Sequence, residues 1–190
     1  MNLVFFLEEA SAKVFLQELM PRILPLQGVA LHFIVFEGKQ DLEKQLYRKL
    51  RHWQNPDSRF VVLRDRDAGD CRVIKERLWK LADEGNHPET LIRIACRELE
   101  SWFLGDLKSI ETAFNVRGVA TQQRSRKFRD PDGLDNPVQE LTRMAPTYQK
   151  ISGARAMGRI MNRENNTSRS FNVFIEGIDR LIQAGSTIWQ

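Results

Sequence analysis

Two aspartates one residue apart, Asp65 and Asp67, close the run FVVLRDRDAGD that spans Phe60 to Asp70. Carboxylates at this spacing can hold a hard divalent cation through oxygen, or trade protons as acid and base, and both uses need further acids nearby. Candidates stand at the ends of other apolar runs: Glu8 and Glu9 after NLVFFL, Glu37 after ALHFIVF, and Glu98 and Glu100 in CRELESWF. Three or four carboxylates gathered at neutral pH repel one another unless a cation neutralises them, so a shared site points to Mg²⁺ or Mn²⁺. The competing assignment is a set of ion pairs with Arg64, Arg66, Arg93 or Arg97, or a lone turn-capping Asp65 beside a solvated Asp67. Which assignment holds depends on which strand ends are neighbours.

Four strand-like runs, NLVFFLEE, ALHFIVFEG, RFVVLRDRD and TLIRIA, alternate with stretches of helical periodicity. This alternation specifies an α/β fold: a parallel sheet with right-handed crossovers and helices on both faces. In the common doubly wound order 2-1-3-4, strand one lies beside strand three and strand four flanks strand three on its other side. Glu8, Glu9, Glu98 and Glu100 then converge on the aspartates, whereas Glu37 falls on the outer edge. Leu3 to Leu7 are core residues, Ser11 is placed to cap the first helix, and Trp53, Trp79 and Trp102 sit at core-facing helix positions. Residues 1–115 form the α/β core on this reading. Residues 116–190 form a basic loop, NVRGVATQQRSRKFRDPDGLDNP at its centre, and then short helices packed on that core, the last over 168–182.

A chain of 190 residues that is 42% hydrophobic buries one substantial core. Twenty-nine Lys and Arg against 25 Asp and Glu leave a formal charge of +4, which permits a polyanionic partner without demanding one. Cys71 and Cys96 are far apart in sequence and form no CxxC, so neither a zinc site nor a disulfide framework is signalled. Met1 to Leu7 lacks the basic start of a secretory signal, and no apolar run reaches the roughly twenty residues of a membrane span. A reduced cytoplasmic setting with no membrane partner is the expectation.

The basic residues concentrate late in the chain: Arg124, Arg126, Lys127 and Arg129 in the loop, then Arg155, Arg159, Arg163 and Arg169, with Phe128 and Phe171 among them. Such a pattern can track the phosphate backbone of DNA or RNA. In RENNTSRSF, Asn166 or Ser168 can cap a helix whose N-terminus, flanked by Arg163 and Arg169, can receive a phosphate. His32, His52 and His87 lack metal-ligand spacing, no Walker motif occurs, and no serine has a partnered histidine and acid.

A glutamate ending the first strand and an Asp-x-Asp ending the third resemble the Toprim domain of topoisomerases, primases and overcoming-lysogenization-defect nucleases. More closely, FLEEASAKVFLQELMPRILP, VLRDRDAGDC, CRELESWFLGD and NNTSRSF resemble the Toprim-like family catalogued as domain of unknown function 4276. By position, the resemblance puts the Toprim glutamate on Glu8, the aspartate pair on Asp65 and Asp67, and a further acid on Glu100. A Toprim strand usually continues with glycine and then an acid, where this chain has Glu9 and Ala12, and VFEGKQD around Glu37 has the closer local likeness. Only Glu8 leaves room for two βα units before the aspartates. The resemblance implies a divalent-metal-dependent nuclease acting on DNA or RNA, a bacterial defence effector working with an ATPase partner. Asp65 and Asp67 would hold the cation, Glu8 would complete its shell or act as acid and base, and Glu100 would support a second ion or its waters. Lys13 is placed to offset phosphate charge or else is a solvated helix lysine. A metal-dependent nucleotidyl or glycosyl transferase and a non-catalytic module of an ATPase system are the rival functions.

Overall fold

The computed structural model describes residues 1–186. Four strands, β1 (Asn2–Leu7), β2 (Ala30–Val35), β3 (Ser58–Asp65) and β4 (Leu91–Ala95), alternate with α1 (Ala10–Ile23), α2 (Lys39–Arg51) and α3 (Cys71–Glu84). They form one all-parallel sheet in the order β2-β1-β3-β4, as the strand-helix alternation requires. The register sets Leu7 beside Val35 and Leu63, and Asp65 beside Ala95, so the four strands end close to one line.

Side chains of a strand alternate between faces, and here both faces are covered. Leu3, Phe5, Leu7, Val61 and Leu63 pack towards α1 and the later helices. Val4, Phe6, Phe60 and Val62 pack towards α2 and α3. Leu3 to Leu7 are fully buried, as expected, and truncating a ring such as Phe5 to Ala would cost about 3–5 kcal/mol. Strand β2 is the half-exposed edge.

Beyond β4 the chain makes α4 (Glu100–Leu104) and α5 (Leu107–Phe114), then α6 (Pro137–Met144), α7 (Lys150–Ile160) and α8 (Arg169–Ser186). Gly105 and Asp106 part α4 from α5, and the Asp106 carboxylate accepts the Ser109 N–H at the start of α5. Helix α7 lies along α1 at close range: a Cβ on Gly158 would stand 2.5 Å from the Phe15 carbonyl oxygen. Helix α8 packs on β4 at the other sheet edge, where Gly177 meets Leu91 and Arg93. Residues of α4 to α8 share one apolar cluster with β1, β3 and α1. The last four residues of the expected C-terminal portion, 187–190, lie outside the described residues.

Three local expectations need correction. Ser11 does not cap α1: Glu9 stands at the cap position in extended conformation, and Ser11 is buried inside the helix with its hydroxyl donating to Glu9 Oε2 at 3.1 Å. Trp79 is 43% exposed and its indole N–H donates to the Pro88 carbonyl, while Trp102 is the tryptophan at the core and Trp53 is half-buried. Phe128 and Phe171 are buried in the core, so neither offers a stacking face to a base. Phe128 instead anchors the irregular segment between α5 and α6, which carries short 3₁₀ turns at Ala120–Gln122 and Pro131–Gly133.

Candidate functional site

Because the order is β2-β1-β3-β4, the segments after β1, β3 and β4 leave the sheet side by side, and their acids meet at its C-terminal edge. Glu8, the first residue beyond β1, is buried, and its Oε2 accepts the Asp65 backbone N–H at 3.1 Å while lying 3.9 Å from Arg64 Nε. Asp65 ends β3 with the parity of Val61 and Leu63, so its carboxylate points to the α1 side. Glu8, Glu9, Ser11 and Asp65 line a narrow cleft there of about 10 Å³, the room one water or small ion takes. Glu100, in the first turn of α4, is 1% exposed. Its Oε1 accepts the Tyr148 hydroxyl at 2.6 Å, and its Oε2 has no hydrogen-bond partner.

The charges in this cluster are poorly balanced. Burial pushes the Asp65 carboxyl well above the usual carboxylate range, and the charges of Glu100, Glu8 and Glu9 push it further; the Lys150 ammonium opposes them. Burial also raises Glu8, against the Asp65 N–H, and burial and Glu100 together raise Glu98. Tyr148 is pushed far up by burial and by the Glu100 carboxylate beneath its hydroxyl. Lys150 reaches in from the first turn of α7 and stands 2.5 Å from Glu9 Oε2. Burial works against its charge, but Glu9, Glu100 and Asp65 more than compensate and raise its pKa.

Asp67 lies elsewhere. Two aspartates at i and i+2 share a face only while the strand continues, and β3 stops at Asp65. Asp67 has a left-handed backbone (φ 53°), a conformation Asp tolerates better than most residues, fixed by its N–H on the Arg97 carbonyl at 2.8 Å. Its carboxylate takes Lys39 Nζ at 2.7 Å in a second depression lined also by Arg64, Arg66 and Arg77, between the starts of α2 and α3. The structure thus brings Glu8 and Asp65 into one cleft, with Glu100 charge-coupled to Asp65, and sets Asp67 beside a basic one. Glu37 is exposed beyond the edge strand and lines neither, and Lys13 lines neither.

The late basic residues are dispersed. Arg126, Lys127 and Arg129 are exposed on the loop, with Lys127 paired to Glu140 at 2.6 Å. Arg163 pairs with Asp179 at 2.9 Å, and Arg155 and Arg159 with Glu18. Arg169 lines a groove with Arg93 and Arg72. The N-terminus of α8 already holds an anion from its own chain: Asp132 accepts the Ser170 N–H at 2.6 Å and the hydroxyls of Ser168 and Ser170 at 2.7 and 3.0 Å. Ser168 caps the helix through the Phe171 N–H, and Asn166 serves the Ser168 N–H, so capping accounts for NNTSRSF.

The acids of the first cleft, with Glu100 beside them, fit a hard divalent cation in kind and charge: all donors are oxygens, Glu100 Oε2 is a buried orphan, and Lys150 and Arg64 are their cationic neighbours. Among the described residues no three His, Cys, Asp or Glu side chains are already close enough to hold an ion. The reason is visible in the bonds above. Glu8 is turned to a backbone N–H, Glu9 to Lys150 and Glu100 to Tyr148, so closure on a cation requires these side chains to swing inward.

Tyr148, Lys150 and Lys39 enter the site from the structure, whereas Glu9 is among the acids expected to converge there. Glu9 adjoins Glu8 in sequence and was legible as an acid at the strand end. Tyr148 and Lys150 come from beyond the irregular segment, and no local pattern marks them. Among the described residues no helix is long and apolar enough to cross a membrane. The family model described as Domain of unknown function (DUF4276) matches residues 7–179, and the chain belongs to that family. Neither the curated proteins nor the solved structures contain a match.

Proposed function

We propose that this member of the family is a divalent-metal-dependent phosphodiester hydrolase, a Toprim-like nuclease acting on DNA or RNA. The observation that carries the reading is the under-compensated carboxylate set at the C-terminal edge of three adjacent strands: buried Glu8, half-buried Asp65 and, from the first turn of α4, buried Glu100. Glu8, Asp65 and Glu100, with Glu9, are the side chains that would hold Mg²⁺ or Mn²⁺. When bound, the cation supplies charge neutralisation at the phosphate and acidifies the attacking water.

The chain's own residues perform the remaining tasks. Asp65 is partly shielded from water on the α1 side of the sheet, which strengthens its attraction for a cation. Glu8 either completes that ligand set or, left outside it, takes a proton from water, its raised pKa moving it towards the range of a general base at neutral pH. Tyr148 orients Glu100, and Lys150 offsets part of the cluster's negative charge. Asp67, turned to Lys39, acts at the edge of the substrate groove, and joins the metal shell only if that ion pair opens. The family resemblance supports an ATPase partner in a defence system, working in the cytoplasm.

The internal pairing of Glu9 and Glu100 favours a second reading, a non-catalytic module in which these acids are structural. Cleavage of a labelled single-stranded oligonucleotide with Mg²⁺ or Mn²⁺, with and without the ATPase, separates the two. Metal-dependent cleavage by the wild type that Asp65→Asn abolishes supports hydrolysis. Equal turnover in the variant contradicts it.

A further inference from the structure

The depression beside Asp67 has a volume of about 330 Å³ and presents Lys39, Arg64, Arg66 and Arg77. Its own carboxylates are already engaged. Asp67 takes Lys39 at 2.7 Å, and Asp70 Oδ1 accepts the first N–H groups of α3, from Arg72 at 2.7 Å and Val73 at 3.2 Å. Glu43, at the back, accepts one terminal nitrogen each from Arg64 at 2.6 Å and Arg77 at 3.3 Å.

What these acids leave unserved is informative. Arg64 is 7% exposed, and its Nε makes no hydrogen bond, Glu8 Oε2 standing at 3.9 Å as its ion-pair neighbour; the buried Nε of Arg66 makes no hydrogen bond either. A guanidinium keeps its full charge at any relevant pH, so a buried N–H without an acceptor is costly and in native proteins usually has an explanation. A tetrahedral oxyanion offers several acceptors to two arginines and a lysine at once, which a single carboxylate cannot.

We propose that this depression is a phosphate subsite that holds one phosphate of a polynucleotide, with Arg66 as its main contact and Lys39 and Arg77 at its rim. The proposal rests on the nuclease reading for its substrate class. It places the polyanion next to Asp67 instead of on the loop of Arg126, Lys127 and Arg129. Strand alternation supports the pairing of the two depressions: Arg64 faces α2 and α3 while its neighbour Asp65 faces α1, so the end of β3 lies between phosphate holder and carboxylate set, with Arg64 Nε, 3.9 Å from Glu8, as the link between them. A strand crossing the sheet edge would have one phosphate on each side.

The test is binding without catalysis. Fluorescently labelled single-stranded DNA and RNA of one sequence are titrated in EDTA across a salt series, against wild type, Arg66→Gln/Arg77→Gln and Arg126→Ala/Lys127→Ala/Arg129→Ala, with melting curves confirming that each is folded. The Arg66/Arg77 variant should bind about tenfold more weakly, with its log-log salt slope shallower by about 0.7, the value for one phosphate of a single strand left unneutralised. The loop variant should change less. Unlabelled oligonucleotide should displace the probe at far lower phosphate concentration than inorganic phosphate does. Unchanged affinity and slope in the Arg66/Arg77 variant overturn the subsite, as does a wild type that binds neither strand. Displacement by inorganic phosphate at equal phosphate concentration overturns the polynucleotide assignment. A normal Mn²⁺ response in a wild type that binds no strand fails the subsite and spares the cation site; normal binding without a Mn²⁺ response does the reverse.

Discussion

Asp65 carries the most consequence of any single residue, because its charge is half-buried among like charges. With its pKa raised in the fold, the ionised group destabilises the metal-free protein fully above the folded pKa and not at all below the unfolded value near 3.9. Asp65→Asn should therefore melt about 2–4 °C above wild type at pH 8 without metal, a shift equal to about 1 kcal/mol in a chain of this size. That gap should close as pH falls towards 4, which paired melting curves at several pH values will show. Asp67→Asn should give no such gain, since it breaks the Lys39 pair and relieves no burial. Tyr148→Phe should cost about 1–3 kcal/mol in denaturant unfolding, because it leaves both oxygens of buried Glu100 without a partner. Asp65 and Glu8 are marked in the sequence by their position at strand ends. Lys150 and Tyr148 carry no such mark: they lie more than 80 residues after Asp65 and reach it only through the packing of α7 on α1.

Elements were legible where periodicity is strong. The four strands and three crossover helices follow from alternation of apolar runs, and their order follows from the common doubly wound topology. Local chemistry was harder to read: Ser11 looked like a cap, yet the chain enters α1 through Glu9, whose carboxylate is held by Ser11 and Lys150. The split of Asp65 from Asp67 was also hidden, because nothing in the residue types marks where β3 stops and a left-handed residue begins. Where α1 meets α7 the fold depends on a missing side chain. Gly158→Ala would drive a methyl into the Phe15 carbonyl, so the helices must part and stability should fall by about 1–3 kcal/mol despite the better helix propensity of Ala. Asp132→Ala should cost about 0.5–2 kcal/mol by leaving the α8 N-terminus without its anion. Chemical denaturation measures both.

For the molecule as a whole, the sheet edge divides two kinds of charge. The poorly balanced carboxylates gather on the α1 side and guanidinium groups on the α2–α3 side, where Asp67 and Glu43 are paired with cations and Asp70 caps α3, with Arg64 and Asp65 adjacent on one strand and facing apart. Such a division suits a reaction in which one side holds a cation and the other a polyanion. The net charge of +4 carries little of this information; its distribution around β3 carries most of it. The division has meaning only if the acid cluster takes up a cation, which calorimetric titration of Mn²⁺ into wild type and Asp65→Asn measures directly. Wild type should bind with release of protons from the raised carboxyls, seen as a dependence of the heat on buffer ionisation, and Asp65→Asn should bind about tenfold or more weakly. Identical isotherms for the two proteins, or no binding by either, would contradict the cation site.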